Sequence, residues 1–192
     1  MYKMLIEKIK AIDHFSEEEI EFFTGLLTTQ LIVKGDHFLR EGQICRYLGY
    51  VQSGLLMYYR MHNGTEIPTD FAIEGEWASY LDSFTNRTDS DLGIRALEDT
   101  MITMLSASDF EQICRVHPKF IKLKDYYTQL AFVSSSRHAA DLAMLDAGER
   151  YHKFVSEKPE LNRRIPQYYI AAYLGIKPQS LSRLRKTVTF RS

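Results

Sequence analysis

Apolar positions recur with two different periods along this chain, and the places where the period changes divide it. From Met1 to about Leu27 the spacing is helical: Leu5, Ile6 and Ile9 share a face, and Ser16 followed by Glu19 is a capping-box signature ahead of Ile20, Phe22, Phe23, Leu26 and Leu27. From Thr29 the period drops to two. The runs QLIV, YLGYV, LLMYYR, IPTDFAI, IRAL and MITML are separated by Lys34-Gly35-Asp36, Glu41-Gly42, Ser53-Gly54, Asn63-Gly64 and Glu74-Gly75. Short strands punctuated by glycine turns predict an antiparallel sandwich or jelly roll. Asn63-Gly64 is its strongest hairpin signal, because both residues tolerate the positive φ of a type I′ turn.

After Ser106 the helical period returns. Ala107 to Cys114 reads as a short helix with Ser106 or Ser108 as its cap, and Pro118 opens a long helix running to about Leu145. Leu123, Tyr126, Leu130 and Val133, with Leu142 and Leu145 further on, approximate an apolar stripe that a monomer leaves partly exposed, and a homodimer seam is its natural use. Ser134, Ser135, Ser136, Arg137 and His138 dilute the stripe, which favours simple helix pairing over a strict coiled coil. The alternative is a helix that packs only on its own sandwich. A further helix, Glu149 to Ser156, leads through Lys158-Pro159 into the most informative stretch.

That stretch, Ile165 to Lys186, reads IPQYYIAAYLGIKPQSLSRLRK and has the pattern of a helix-turn-helix. Ile170, Ala171 and Leu174 share a face of the first helix, and Gly175 supplies the positive φ at its end. Ala171 is small, as a tight crossing of two helices requires. A second helix starts around Lys177 and Pro178, with Leu181 and Leu184 turned inward. Its outward residues, Gln179, Ser180, Ser182, Arg183, Arg185 and Lys186, are hydrogen-bonding or cationic, and none is acidic. Arginine can fork onto guanine, glutamine onto adenine, and serine and lysine can hold phosphates, so this face suits a DNA groove. An ordinary helical hairpin with a solvated basic face is the competing reading.

Composition sharpens this picture. With 192 residues, 45% of them hydrophobic and 12% aromatic, a sizeable core can be built. No apolar run reaches about 18 residues. The start MYKMLIEKIK lacks the layout of a signal peptide, so a cytoplasmic address and no membrane partner are expected. Cys45 and Cys114 stand far apart without a metal-ligand spacing, and no cofactor or metal is expected. The net charge of −1 hides a division. From Arg150 onward, ten basic residues face only Glu157 and Glu160, a net of +8 that leaves −9 on the remainder. An acidic body with a basic tail suits a protein whose end alone touches phosphate.

The order of these elements resembles the Crp/Fnr family, the catabolite-activator-like transcription regulators. The resemblance runs from roughly Phe15 to Lys186, and its most specific parts are YLGYVQSGLLMYYR, Glu74-Gly75-Glu76-Trp77 and IAAYLGIKPQSLSRLRK. It implies an α+β fold in three parts: an N-terminal antiparallel β-roll, like the cyclic-nucleotide-binding jelly roll, with flanking helices as sensor domain (1–117), a long dimerisation helix (118–146) and a C-terminal helix-turn-helix domain (147–192). It also implies that Gln179, Ser180 and Arg183 contact bases, with Tyr168 and Lys177 near phosphates. The implied partners are double-stranded DNA and a second copy of the chain, with RNA polymerase and an unidentified small-molecule effector as further candidates.

Two departures from the family pattern stand out. Cyclic-nucleotide-binding members place a glutamate on the ribose and, ten positions later, an arginine on the cyclic phosphate; here those positions hold Tyr80 and Ser90, flanked by Asp89 and Asp91, so cyclic AMP is not predicted as ligand. Arg87 is the candidate substitute cation. Trp77, Tyr80 and Phe84 form an expected aromatic cluster that either stacks on a ring-bearing effector or, the favoured reading, plugs the cavity. Secondly, where many relatives add a β-wing, only TVTFRS follows Lys186. More of the non-specific attraction then falls on Arg185, Lys186 and Arg191, and binding is expected to be steeply salt-dependent.

An enzyme is not expected. A cupin-like metal enzyme would gather histidines, but His14, His37, His62, His117, His138 and His152 are scattered, and no G-x-S-x-G elbow, P-loop or Cys–His pair is recognisable. A small-ligand sensor or interaction module without DNA binding is the remaining alternative.

Overall fold

The computed structural model describes residues 2–189. Two helices open the chain, α1 (Lys3–Ile12) and α2 (Glu17–Gly25). The second begins where the sequence predicts: Ser16 Oγ accepts from the Glu19 amide at 3.2 Å, and the Glu19 carboxylate accepts from the Ser16 amide at 2.8 Å. Eight antiparallel strands follow: β1 (Thr28–Ile32), β2 (His37–Leu39), β3 (Tyr47–Ser53), β4 (Leu56–His62), β5 (Thr65–Ala72), β6 (Trp77–Ala78), β7 (Gly93–Ala96) and β8 (Thr100–Ser106). They form two four-stranded sheets, ordered β1-β8-β3-β6 and β2-β7-β4-β5. Helix α3 (Leu81–Asn86) interrupts the roll between β6 and β7.

The β4–β5 hairpin turns at Asn63 and Gly64, with φ of 49° and 74°. On β5 the register slips by one residue opposite Tyr58 and Tyr59, where Pro68 sits. Proline is tolerated there because β5 is an edge strand.

The run LLMYYR is continuous rather than alternating because β4 is buried on both faces. Leu56 packs inside the roll with Val51, Ile94 and Ile102, and Tyr58 leans on that core. Met57 and Tyr59 point outward into a second core shared with the C-terminal helices. A third core joins α1 and α2 to the outer side of β3 and β8 through Leu5, Ile9, Phe23 and Leu105.

Past the roll come α4 (Ala107–Val116), capped by Ser106, a 3-10 turn at Pro118–Phe120, and the long α5 (Ile121–Met144). One residue of the expected dimer stripe must be reassigned. Leu123 is only 6% exposed and belongs to the third core beside Phe120, because the first turns of α5 lie against α1 and α2. Lys122 with Asp13, and Lys119 with Glu19, hold that end in place at 2.6 and 2.8 Å. Tyr126, Leu130, Val133 and Leu142 remain exposed, and so do two residues the periodicity did not select, Phe132 (71%) and Met144 (82%). Among the described residues no helix is long and apolar enough to cross a membrane.

Candidate nucleic-acid interface and effector cavity

The C-terminal unit consists of α6 (Ala147–Glu157), α7 (Pro159–Arg164), α8 (Gln167–Tyr173) and α9 (Pro178–Thr189). Asp146 and Glu149 cap α6 reciprocally, each side chain accepting the other's amide at 2.9 Å. Helix α8 ends in a Schellman motif: the Ile176 amide donates to Ala171 O and the Gly175 amide to Ala172 O, while Gly175 takes φ 65°. Lys177 O accepts from the Ser180 and Leu181 amides, so α9 starts at once with Pro178 in its first turn. Ala171 is fully buried in the crossing with Ile170, Leu174 and Leu181. The small side chain lets the two helices approach, and the turn leaves no slack in their angle.

Seated in this way, α9 turns Gln179, Ser182, Arg183 and Lys186 outward, with Lys177 and Tyr168 exposed nearby. Ser180 is half-buried. Arg185 is half-buried too and lies close enough to Tyr151 to act on its phenol electrostatically, so it sits at the edge of this face rather than on its crest. Arg191 lies outside the described residues.

Part of the basic tail is engaged with the acidic body. The Arg164 guanidinium donates to both oxygens of Glu74 at 2.8 and 2.9 Å, to both oxygens of Glu98 at 3.0 and 2.7 Å, and to Gly54 O at 2.9 Å. These hydrogen bonds hold the Glu74 carboxyl down at about 2. Arg95 pairs with Glu66 at 2.6 Å and also donates to the Tyr169 hydroxyl, while Lys158 stands 3.8 Å from Asp70. The rings of Phe71 and Tyr173 meet at 5.3 Å across the same seam. Lys153 is paired with Asp141, Arg163 with Glu160, and Arg150 donates to the carbonyls of Leu174 and Leu145. Sequence counting treats the tail cations among these, Arg150, Lys153, Lys158, Arg163 and Arg164, as charge available to a partner. The cations that stand on the α9 face are Lys177, Arg183 and Lys186, with Arg185 at its edge.

In the roll, the expected phosphate cassette is occupied by the protein itself. Ser90 is buried; its hydroxyl donates to Leu92 O at 2.7 Å and accepts from the Leu92 amide at 3.2 Å. Ser83, also buried, donates to Thr88 O and accepts from the Cys45 amide. The Tyr80 hydroxyl interacts with Asp91 and Arg60, which are themselves ion-paired; burial, then the hydrogen bond to Asp91, raises its pKa. Arg87 is the left-handed C-cap of α3, lies 5.3 Å over the Phe84 ring and pairs with Glu111 at 2.7 Å. That carboxylate already answers the cation proposed as a substitute phosphate anchor.

The expected aromatic cluster is also divided. Phe84 packs on Phe110 inside the roll, whereas Trp77 faces the helices, with ring centroids 5.5 Å from Tyr50 and 5.9 Å from Tyr127. Between the roll and α5 lies a cavity of about 110 Å³ lined largely by apolar side chains, Trp77 among them.

Residues 30–117 match the family model of the cyclic nucleotide-binding domain. No curated protein sequence matches the chain significantly. Among solved structures, FixK2 from Bradyrhizobium japonicum has a TM-score of 0.76 at 18% identity, covering 86% of this chain and 85% of its own. The c-di-GMP responsive global regulator CLP of Xanthomonas campestris has a TM-score of 0.71 at 18% identity, covering 92% of this chain and 93% of its own. A regulator assigned to the crp/fnr family from Eubacterium rectale has a TM-score of 0.72 at 17% identity, covering 92% and 85%. Residues 30–117 therefore resemble the cyclic nucleotide-binding jelly roll, and the solved structures similar in fold over most of the chain include a Crp/Fnr regulator.

Proposed function

We propose that this chain, built on the Crp/Fnr fold, is a cytoplasmic, homodimeric transcription regulator that reads a palindromic DNA operator with the exposed face of α9. One observation carries the reading: an acid-free set of base- and phosphate-directed side chains, Gln179, Ser182, Arg183 and Lys186, stands on a helix whose angle is locked by a buried alanine and a Schellman turn. The exposed residues of α5 supply the seam between two copies. Pairing would present the two α9 helices about 34 Å apart, one turn of duplex.

The ordinary cyclic-nucleotide chemistry is not part of this reading. A cyclic phosphate at Ser90 would meet a hydroxyl engaged with its own backbone, with the Asp91 carboxylate beside it. The protein is therefore a non-enzymatic regulator that does not respond to cyclic AMP, and its remaining partners are RNA polymerase and an effector of other chemistry.

Selection of bound duplexes from a random pool, followed by footprinting, tests the reading. The expected result is an inverted repeat with half-sites one helical turn apart. Recovery of unenriched sequence at moderate salt would overturn it. Arg183→Ala is expected to weaken binding by about 1–3 kcal/mol and to relax the preference at one base position of each half-site.

A further inference from the structure

We propose that the cavity between the roll and α5 is a binding site for a small apolar monocarboxylate, a single aromatic ring or an equally compact branched chain bearing one carboxylate. The cavity holds about 110 Å³ and is partly open to solvent. Its walls come from elements distant in sequence: Tyr58 of β4, Trp77 of β6, Phe110 of α4, Phe120 of the 3-10 turn and Tyr127 of α5. An apolar cavity of about 150 Å³ stays dry and accepts benzene, so a void of this size and lining suits one ring and not a fused purine with its ribose.

The chemistry of the second group follows from the wall. Lys124 is the only formally charged residue lining the cavity; it is half-buried, and among the described residues it forms no ion pair or hydrogen bond. A partly desolvated ammonium beside an apolar void is complemented by a single anionic group attached to an apolar body. A carboxylate fits where a cyclic phosphate with its ribose does not, because the lining holds one cation and no second charged side chain. The site stands whether or not α9 reads DNA, since its lining comes from α2, the roll with α3, α4, the 3-10 turn and α5, and none of it from the C-terminal helices.

Trp77 is the sole tryptophan, so its emission reports occupancy directly. The test is a titration of the full chain with benzoate and with its uncharged isostere benzamide, followed by Trp77 fluorescence and thermal denaturation. Benzoate is expected to give a saturable change within the millimolar range and a rise in Tm, with benzamide about tenfold or more weaker, the loss expected for one charge-assisted hydrogen bond. Lys124→Met is expected to remove the difference between the two. Ala131→Phe, which projects a ring from α5 into the cavity, is expected to abolish the response. A purely linear response of the unmodified protein to benzoate overturns the proposal, as does a saturable response unchanged in both variants. Competition by cyclic AMP at equal or lower concentration also overturns it, since it would assign the site to a nucleotide.

Discussion

Arg164 shows how much a single side chain contributes when its whole donor fork is matched. Its guanidinium ties three separate roll segments, the Gly54 turn, Glu74 and Glu98, to the helix that precedes the helix-turn-helix. Removing it leaves two carboxylates facing each other at that seam. Arg164→Ala is expected to lower folding stability by about 1–3 kcal/mol, measured by urea denaturation, and to speed hydrogen exchange in α8. Glu74 gives a matching pH dependence. Its carboxyl, held by Arg164, titrates at about 2 instead of the ordinary 4.5. A depressed acid contributes stability above its unfolded value, and that contribution disappears as pH falls from 4.5 through about 2. Thermal denaturation across that window should show a steeper fall for the unmodified protein than for Glu74→Gln, which starts lower at neutral pH. Gly175 is a backbone matter. At φ 65° an added Cβ is strained and also meets Leu142 Cδ2 at 3.3 Å, so Gly175→Ala is expected to lower stability by about 1 kcal/mol. Gly175 was legible from sequence, because a glycine ending a periodic helix has few other uses. The partners of Arg164 were not, because no periodicity links it to Glu74 and Glu98.

Among the elements, those with a full period or a strong cap were readable. The capping box at Ser16, the hairpin at Asn63-Gly64, the cap at Ser106 and the turn at Gly175 all fall where the pattern puts them. Strands β2 and β6 and helices α3 and α7 were not expected; each is too short to display a period, and tertiary contacts hold them. Helix α5 illustrates the limit of counting apolar residues at regular spacing. Leu123 satisfies the stripe yet faces the protomer's own core, because α1 and α2 reach the first turns of α5 and no further. Further along, Leu130 and Val133 stay exposed. Replacing both with glutamate is expected to shift sedimentation from dimer to monomer while the circular dichroism of the fold is retained, since neither residue is buried in the single chain. Dimeric sedimentation of that variant would assign the seam elsewhere.

At the scale of the molecule, the C-terminal unit is seated directly on the roll through β4 and β5, so the orientation of α9 depends on the roll's outer face. The same seam redistributes charge. Arg164 and Lys158 are taken up by carboxylates of the roll, while Lys177, Arg183 and Lys186 stand on the face of α9 proposed to meet phosphate. If each of two protomers neutralises about three phosphates, the logarithm of the DNA affinity should fall against the logarithm of salt with a slope near −5. Titrating binding against potassium chloride measures it, and a slope near −10 would mean that the seam's cations also reach the duplex. Local rules were enough to settle the succession of helices, roll, long helix and helix-turn-helix, because caps, turns and apolar periods act over a few neighbouring residues. Only the tertiary structure decided that Ser90 closes on its own backbone, that Trp77 and Phe84 part company, and that Lys153, Lys158 and Arg164 of the basic tail clasp the acidic body. Those outcomes depend on which distant side chains meet, and a pairing across a hundred residues leaves no mark on the spacing of either partner.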